Sequence, residues 1–266
     1  MRLPTETWGR GSTPALFLHG FAGSKESFRH LEPLLGEALT ATCVDLPGHG
    51  EAPLPGPGGF EAVVDAVAEL LEAPAVVVGY SQGARLALGL ALRHPGKVDR
   101  LVLESGSPGL RRRQDRGRRR ASDQALAGLL VQTGVERFMD DWERLPLFQG
   151  LRELPEAERA ALARRRRAHR AEGLAAALVA MGQGAQPDYW PLLPRLFRPT
   201  LVLSGAQDPK YTRLARRLVE ALPLGWRVSF PGVGHAPHLE CREAYALELR
   251  SFLLPPWAAE PLDRAP

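Results

Sequence analysis

A serine hydroxyl acts as a nucleophile or base only when a neighbouring histidine takes its proton. The residues to look for are therefore a serine in a projecting turn and a histidine able to reach it. The segment Val78-Gly79-Tyr80-Ser81-Gln82-Gly83-Ala84 matches G-x-S-x-G, the pattern of a sharp strand-to-helix turn with the serine at its apex. The chain contains seven histidines. Of these, His235 lies in the glycine-rich stretch Gly232-Val233-Gly234-His235-Ala236-Pro237-His238, and Asp208 closes Ser204-Gly205-Ala206-Gln207-Asp208. Each of the three follows an apolar run, in the order Ser, Asp, His. That order reads as a triad in which Ser81 reacts, His235 takes its proton and Asp208 orients the imidazole. The backbone N–H of Gln82 and that of Phe21, just after His19-Gly20, are the expected oxyanion donors. His19 reads as structural, His94 as a helix-end residue and His169 as solvated or anion-facing. His238 reads as a neighbour of the catalytic histidine.

The elements that would carry these groups follow from hydrophobic patterning. Ala15-Leu16-Phe17-Leu18, Ala41 to Val44, Ala75-Val76-Val77-Val78, Leu101-Val102-Leu103, Thr200-Leu201-Val202-Leu203 and Arg227-Val228-Ser229-Phe230 read as strands. Near-continuous apolar runs of this length suit parallel strands covered on both faces. Helices are expected at Ala84 to Arg93, Tyr211 to Ala221 and Cys241 to Leu253. From about Ser107 to Leu193 strand character vanishes and Ala, Arg, Leu and Glu recur at helical spacing, punctuated by Gly134, Pro146, Pro155, Gly173 and Pro187. The expected fold is thus α/β, a mostly parallel sheet with helices on both faces and an inserted helical lid. The divisions are 1–106 and 194–254 for the core, 107–193 for the lid and 255–266 for a Pro-rich tail.

Composition narrows the function classes. The chain has 266 residues, 44% hydrophobic and 24% charged, enough for a sizeable core. No run approaches the roughly 20 apolar residues of a membrane span, and the N-terminus lacks a signal-peptide pattern, so a cytoplasmic protein with no membrane partner is expected. Cys43 and Cys241 are too few for a disulfide framework or a cysteine-based zinc site and read as buried free thiols. The net charge is +4, and only three of the 34 basic residues are lysines. Isoleucine and asparagine are absent, the mark of a GC-rich genome. Plentiful acidic residues and 7% aromatics, without a nucleic-acid motif, argue against DNA or RNA as a partner.

Leu18-His19-Gly20-Phe21, Asp45-Leu46-Pro47-Gly48-His49-Gly50, the Ser81 turn, Gly205 to Asp208 and Gly234-His235 together resemble the α/β-hydrolase superfamily. Glu104 to Leu110, Ser122-Asp123, Asp141-Trp142, Gln186-Pro187-Asp188 and Gln207 to Tyr211 narrow the resemblance to the SHCHC synthases of menaquinone biosynthesis. That family implies a lyase that eliminates pyruvate from a tricarboxylate, SEPHCHC, with no metal or cofactor. It also implies Arg119 and Arg166 as substrate-facing members of the two arginine runs, Arg85 and Tyr80 on the core side, and Trp142 as an aromatic wall. Within Arg164 to Arg167 the register stays open by one or two positions. Two other readings share the sequence: a small-molecule serine hydrolase on the same triad, and a non-catalytic ligand-binding scaffold. A monomer or small homo-oligomer fits all three.

Overall fold

Strands buried on both faces need helices above and below them, and the chain supplies these by alternation. The computed structural model describes residues 1–253; the tail expected at 255–266 lies outside the described residues. The strands are β1 (Thr5–Trp8), β2 (Thr13–Leu18), β3 (Leu39–Val44), β4 (Ala75–Tyr80), β5 (Val98–Glu104), β6 (Thr200–Gly205) and β7 (Gly225–Phe230). The helices are α1 (Glu32–Leu35), α2 (Gly59–Ala68), α3 (Gln82–Arg93), α4 (Arg113–Trp142), α5 (Glu156–Arg167), α6 (Ala171–Met181), α7 (Pro209–Ala221), α8 (Pro237–Glu240) and α9 (Arg242–Leu253). Among the described residues the sheet runs β1-β3-β2-β4-β5-β6-β7. Only the β1–β3 pair in that order is antiparallel.

Each expected strand is present and extends beyond its apolar run. Strand β1 was not foreseen, because its residues alternate toward solvent and carry no apolar run. One face of the sheet packs Leu16, Val77 and Leu101 against Val64 of α2, Leu86 and Leu90 of α3 and Leu218 of α7. The other packs Phe17, Val78 and Leu203 against Phe28 and against Tyr245, Leu249 and Phe252 of α9. Cys43 is buried and its sulfur accepts the indole N–H of Trp8 at 3.2 Å, whereas Cys241 is half-buried instead of buried as expected.

Between β5 and β6 the chain is helical, with no strand among the described residues there. Helix α4 breaks at Gly134, whose φ of 79° and ψ of 167° are open to glycine at little cost. The two arms pack Leu130, Phe138 and Met139 against Leu174 and Leu178 of α6, and Ala22 of the core closes the cluster.

His169 corrects an expectation. It is buried, because the turn between α5 and α6 is drawn onto the core. Its Nδ1 accepts the N–H of Gly50 at 3.0 Å, and its Nε2–H donates to the carbonyl of Ala22 at 3.1 Å. Both bonds need the neutral ring, and burial holds its pKa below the ordinary 6.5. The unfolded chain, with a value near 6.5, takes up a proton that the folded chain refuses. Stability from this site is therefore full above about pH 6.5 and is lost as pH falls below it. A glutamine can copy both bonds without titrating. We expect the melting temperature of His169→Gln to fall less than wild type between about pH 7.5 and about pH 5. Parallel losses would show that this anchor does not titrate.

Candidate active site

The C-terminal ends of β4, β6 and β7 meet along one edge of the sheet, where open α/β sheets gather ligands. Ser81 follows β4 directly, at φ 51° and ψ −102°, a strained position for a residue with a Cβ. The flanking glycines are obligatory. A methyl at Gly79 would lie 2.6 Å from Cα of Ala84, and one at Gly83 would collide with the carbonyl of Leu18. Helix α3 starts at Gln82, so the amide N–H of that residue has no partner within the helix.

His235 arrives in the loop after β7 and Asp208 in the loop after β6. The Ser81 hydroxyl donates to Nε2 of His235 at 3.1 Å, and Nδ1–H of His235 donates to Oδ2 of Asp208 at 2.7 Å. A carboxylate only accepts, so this contact assigns the imidazole tautomer. Oδ1 of Asp208 accepts the N–H of Tyr211 at 3.2 Å, capping α7. The three residues separated in sequence are therefore in register for proton transfer. On the opposite wall, a Cβ at Gly20 would stand 2.7 Å from the Tyr80 ring and 3.5 Å from Cβ of Ser81. Glycine there brings the Phe21 backbone beside the serine. His19 braces this loop, Nδ1–H donating to the Gly20 carbonyl at 2.7 Å and Nε2 accepting the Leu46 N–H at 3.1 Å. Burial drives the His19 pKa down to about 4, so the ring stays neutral.

A cavity of about 350 Å³ opens over Ser81, lined by Phe21, Gln82, Tyr80 and Trp142 among others. Four basic side chains, Arg85, Arg119, Arg166 and Lys210, reach it, and among the described residues no carboxylate lines it. Arg85 donates to the Met181 carbonyl at 2.6 Å. Burial lowers its pKa to about 10, which still leaves it charged at neutral pH. Arg119 is held from behind by Oδ1 of Asp123 at 2.7 Å and Oε1 of Gln183 at 2.8 Å. Arg166 is held by Glu143 at 3.2 Å, with its guanidinium 5.2 Å from the Phe148 ring centre. In the run Arg164 to Arg167 only Arg166 lines the cavity; Arg167 turns outward to Asp140 and Glu143.

Tyr80 packs on His235 with ring centres 5.5 Å apart. Burial, with Glu104 close by, raises its pKa well above 10, so it stays a neutral phenol. Trp142 stacks on Phe138 and meets Phe21 edge-on at 5.1 Å. His238 is committed elsewhere, its Nδ1–H donating to Glu104 at 2.7 Å. Arg111 is exposed and lies over the Trp190 ring at 4.5 Å. The sequence reading did not assign Lys210, Gln183, Tyr211 or Phe148 to the cavity wall. For Lys210 and Tyr211 the signal was available, since they follow Asp208 by two and three residues in the first turn of α7.

A strained serine between two glycines, reached by a histidine from a later strand of a parallel sheet, is the arrangement of the α/β hydrolases. The chain belongs to the alpha/beta hydrolase family, whose model matches residues 15–249. Within it, the chain is similar to the 2-succinyl-6-hydroxy-2,4-cyclohexadiene-1-carboxylate synthase of Serratia proteamaculans. The two are 32% identical over 246 residues, covering 91% of this chain and 93% of that protein. The structure of MenH from S. aureus matches with a TM-score of 0.89 at 29% identity, over 94% of this chain and 97% of that one. A thermophilic esterase from Thermogutta terrifontis, solved with malate bound, matches at 0.82 and 26% identity, over 94% and 92%.

Proposed function

We propose that the protein is a 2-succinyl-6-hydroxy-2,4-cyclohexadiene-1-carboxylate synthase, a cytoplasmic lyase that eliminates pyruvate from SEPHCHC. The observation that carries this reading is the cavity wall, with four cations and no described carboxylate around a serine triad. Ester pockets are mostly apolar, whereas a tricarboxylate taken out of water must be paired. Among the described residues no helix is long and apolar enough to cross a membrane.

In this reading Ser81, its proton passing to His235, removes the ring proton beside the succinyl ketone. The resulting enolate oxygen is held by the N–H groups of Phe21 and Gln82, as an acyl-transfer oxyanion would be. Collapse of the enolate through the ring double bond breaks the carbon–oxygen bond to the enolpyruvyl group. The imidazolium of His235 returns the proton to the departing fragment, which leaves as pyruvate. Asp208 holds the imidazole and stabilises its cation.

The test is release of pyruvate from SEPHCHC, followed by coupling to lactate dehydrogenase with EDTA present. Turnover supports the lyase. Fast hydrolysis of p-nitrophenyl acetate with no pyruvate would favour a serine hydrolase, the reading supported by the likeness to the esterase.

The arginines give an internal control. Charge-assisted hydrogen bonds contribute about 1.5–3 kcal/mol each, so Arg119→Ala or Arg166→Ala should lower kcat/KM roughly ten- to a hundredfold. Lysine should recover only part, keeping the charge but losing the planar fork. Arg111→Ala, on the exposed stack with Trp190, should change it little. Equal small effects at all three positions would remove the case for carboxylate pairing.

A further inference from the structure

Ser81 and His235 stand at the ends of different strands, so their 3.1 Å separation depends on whatever ties those ends together. The end of β5 makes that tie. The carbonyl of Glu104 accepts the Ser81 N–H at 2.8 Å. The Glu104 side chain, fully buried, turns the other way, and its Oε1 accepts both the backbone N–H of His238 at 3.1 Å and Nδ1–H of His238 at 2.7 Å. The next residue, Ser105, sits at φ 48° and donates its hydroxyl to the His235 carbonyl at 2.8 Å. Two consecutive residues therefore hold the serine turn on one side and both ends of the 235–238 segment on the other. The contact is reinforced through the rings: His238 packs on Tyr80 at 4.6 Å, and Tyr80 packs on His235 at 5.5 Å.

A fully buried carboxylate is a poor choice for stability alone, since desolvation cancels most of what its partners return. A serine in the left-handed region adds backbone strain that glycine would avoid. Neither feature is needed to extend a strand. Both are accounted for if the position of His235 relative to Ser81 is what they secure.

We propose that Glu104 and Ser105 are positioning residues that set the reach of His235 to Ser81. This rests on the reading of Ser81 and His235 as the proton-transfer pair. Misplacing reacting groups by about 1 Å can cost on the order of a hundredfold in rate.

The test compares Glu104→Gln and Ser105→Gly with Val102→Ala, a buried change on the same strand whose side chain makes none of these hydrogen bonds. Ser105→Gly deletes the hydroxyl while relieving the backbone strain at φ 48°, so it reports positioning without adding strain to the turn. For each variant, kcat and KM with SEPHCHC are measured together with the second-order rate at which a fluorophosphonate labels Ser81. Labelling needs attack assisted by His235 and no carboxylate recognition. The expected result is a fall of roughly tenfold or more in both kcat and labelling rate, with KM unchanged within about twofold, in the two β5-end variants alone. Rates no lower than those of Val102→Ala would overturn the proposal. Turnover and Ser81 labelling undiminished in His235→Ala would instead remove the pair on which it rests, so the two failures are told apart.

Discussion

Ser81→Ala and His235→Ala are each expected to lower turnover by roughly 10³- to 10⁶-fold while the chain still folds. The serine side chain contributes one hydrogen bond, to His235. Alanine keeps the Cβ that serine already carries, so the change adds no new clash at the strained φ of 51°. His235→Ala is structurally harsher, because it leaves the Asp208 carboxylate buried without the 2.7 Å donor it now has. His235→Gln, which restores a donor, separates that cost from catalysis. The double variant Ser81→Ala/His235→Ala should be no slower than either single one, since residues acting as one device do not add. Steady-state turnover and melting temperature decide the matter. Near-wild-type rates in either single variant would sink the triad.

Asp208→Asn should cost roughly 10³- to 10⁴-fold in kcat with little loss of stability. Asparagine caps a helix about as well as aspartate, so its oxygen can still accept the Tyr211 N–H at the start of α7. Its amide then faces His235 as a donor where an acceptor stood. The imidazole must answer with a bare Nδ1, moving the proton to Nε2, the nitrogen that should receive it from Ser81. Charge is lost at the same time, so the imidazolium formed during turnover has no carboxylate beside it. A large drop in kcat at unchanged melting temperature is the expected pairing. Full activity would mean that Asp208 serves only as the cap of α7.

The hydrogen-bonded array of Ser81, His235 and Asp208 was legible because each member carries a local signature. Gly79 is forced by contacts within the turn itself and Gly83 by the Leu18 carbonyl of the neighbouring strand, but both stand in one short motif, and Asp208 and His235 each follow an apolar run closely. Strand β1 was not legible, since its burial comes from pairing with β3 and leaves no apolar run. His169 was misjudged for a related reason. Nothing in Arg167-Ala168-His169-Arg170 predicts burial, which arises when Gly50 and Ala22, more than a hundred residues away, supply its two bonds. Gln183 likewise enters the cavity through tertiary approach. The arginine runs could be placed near the site by resemblance, but only the turn of α5 selects Arg166 from its neighbours.

The chain segment between β5 and β6 supplies Arg119, Arg166 and Trp142, while the serine, aspartate and histidine all come from outside it. On the proposed function, what the pocket accepts and what the pocket can do are thus written largely in separate stretches of the gene. A lineage could exchange or remodel that one contiguous segment and redirect the same reactive trio to an uncharged ester, without a single change at Ser81, Asp208 or His235. Arg85 and Lys210 would remain behind in the core as the trace of the older preference.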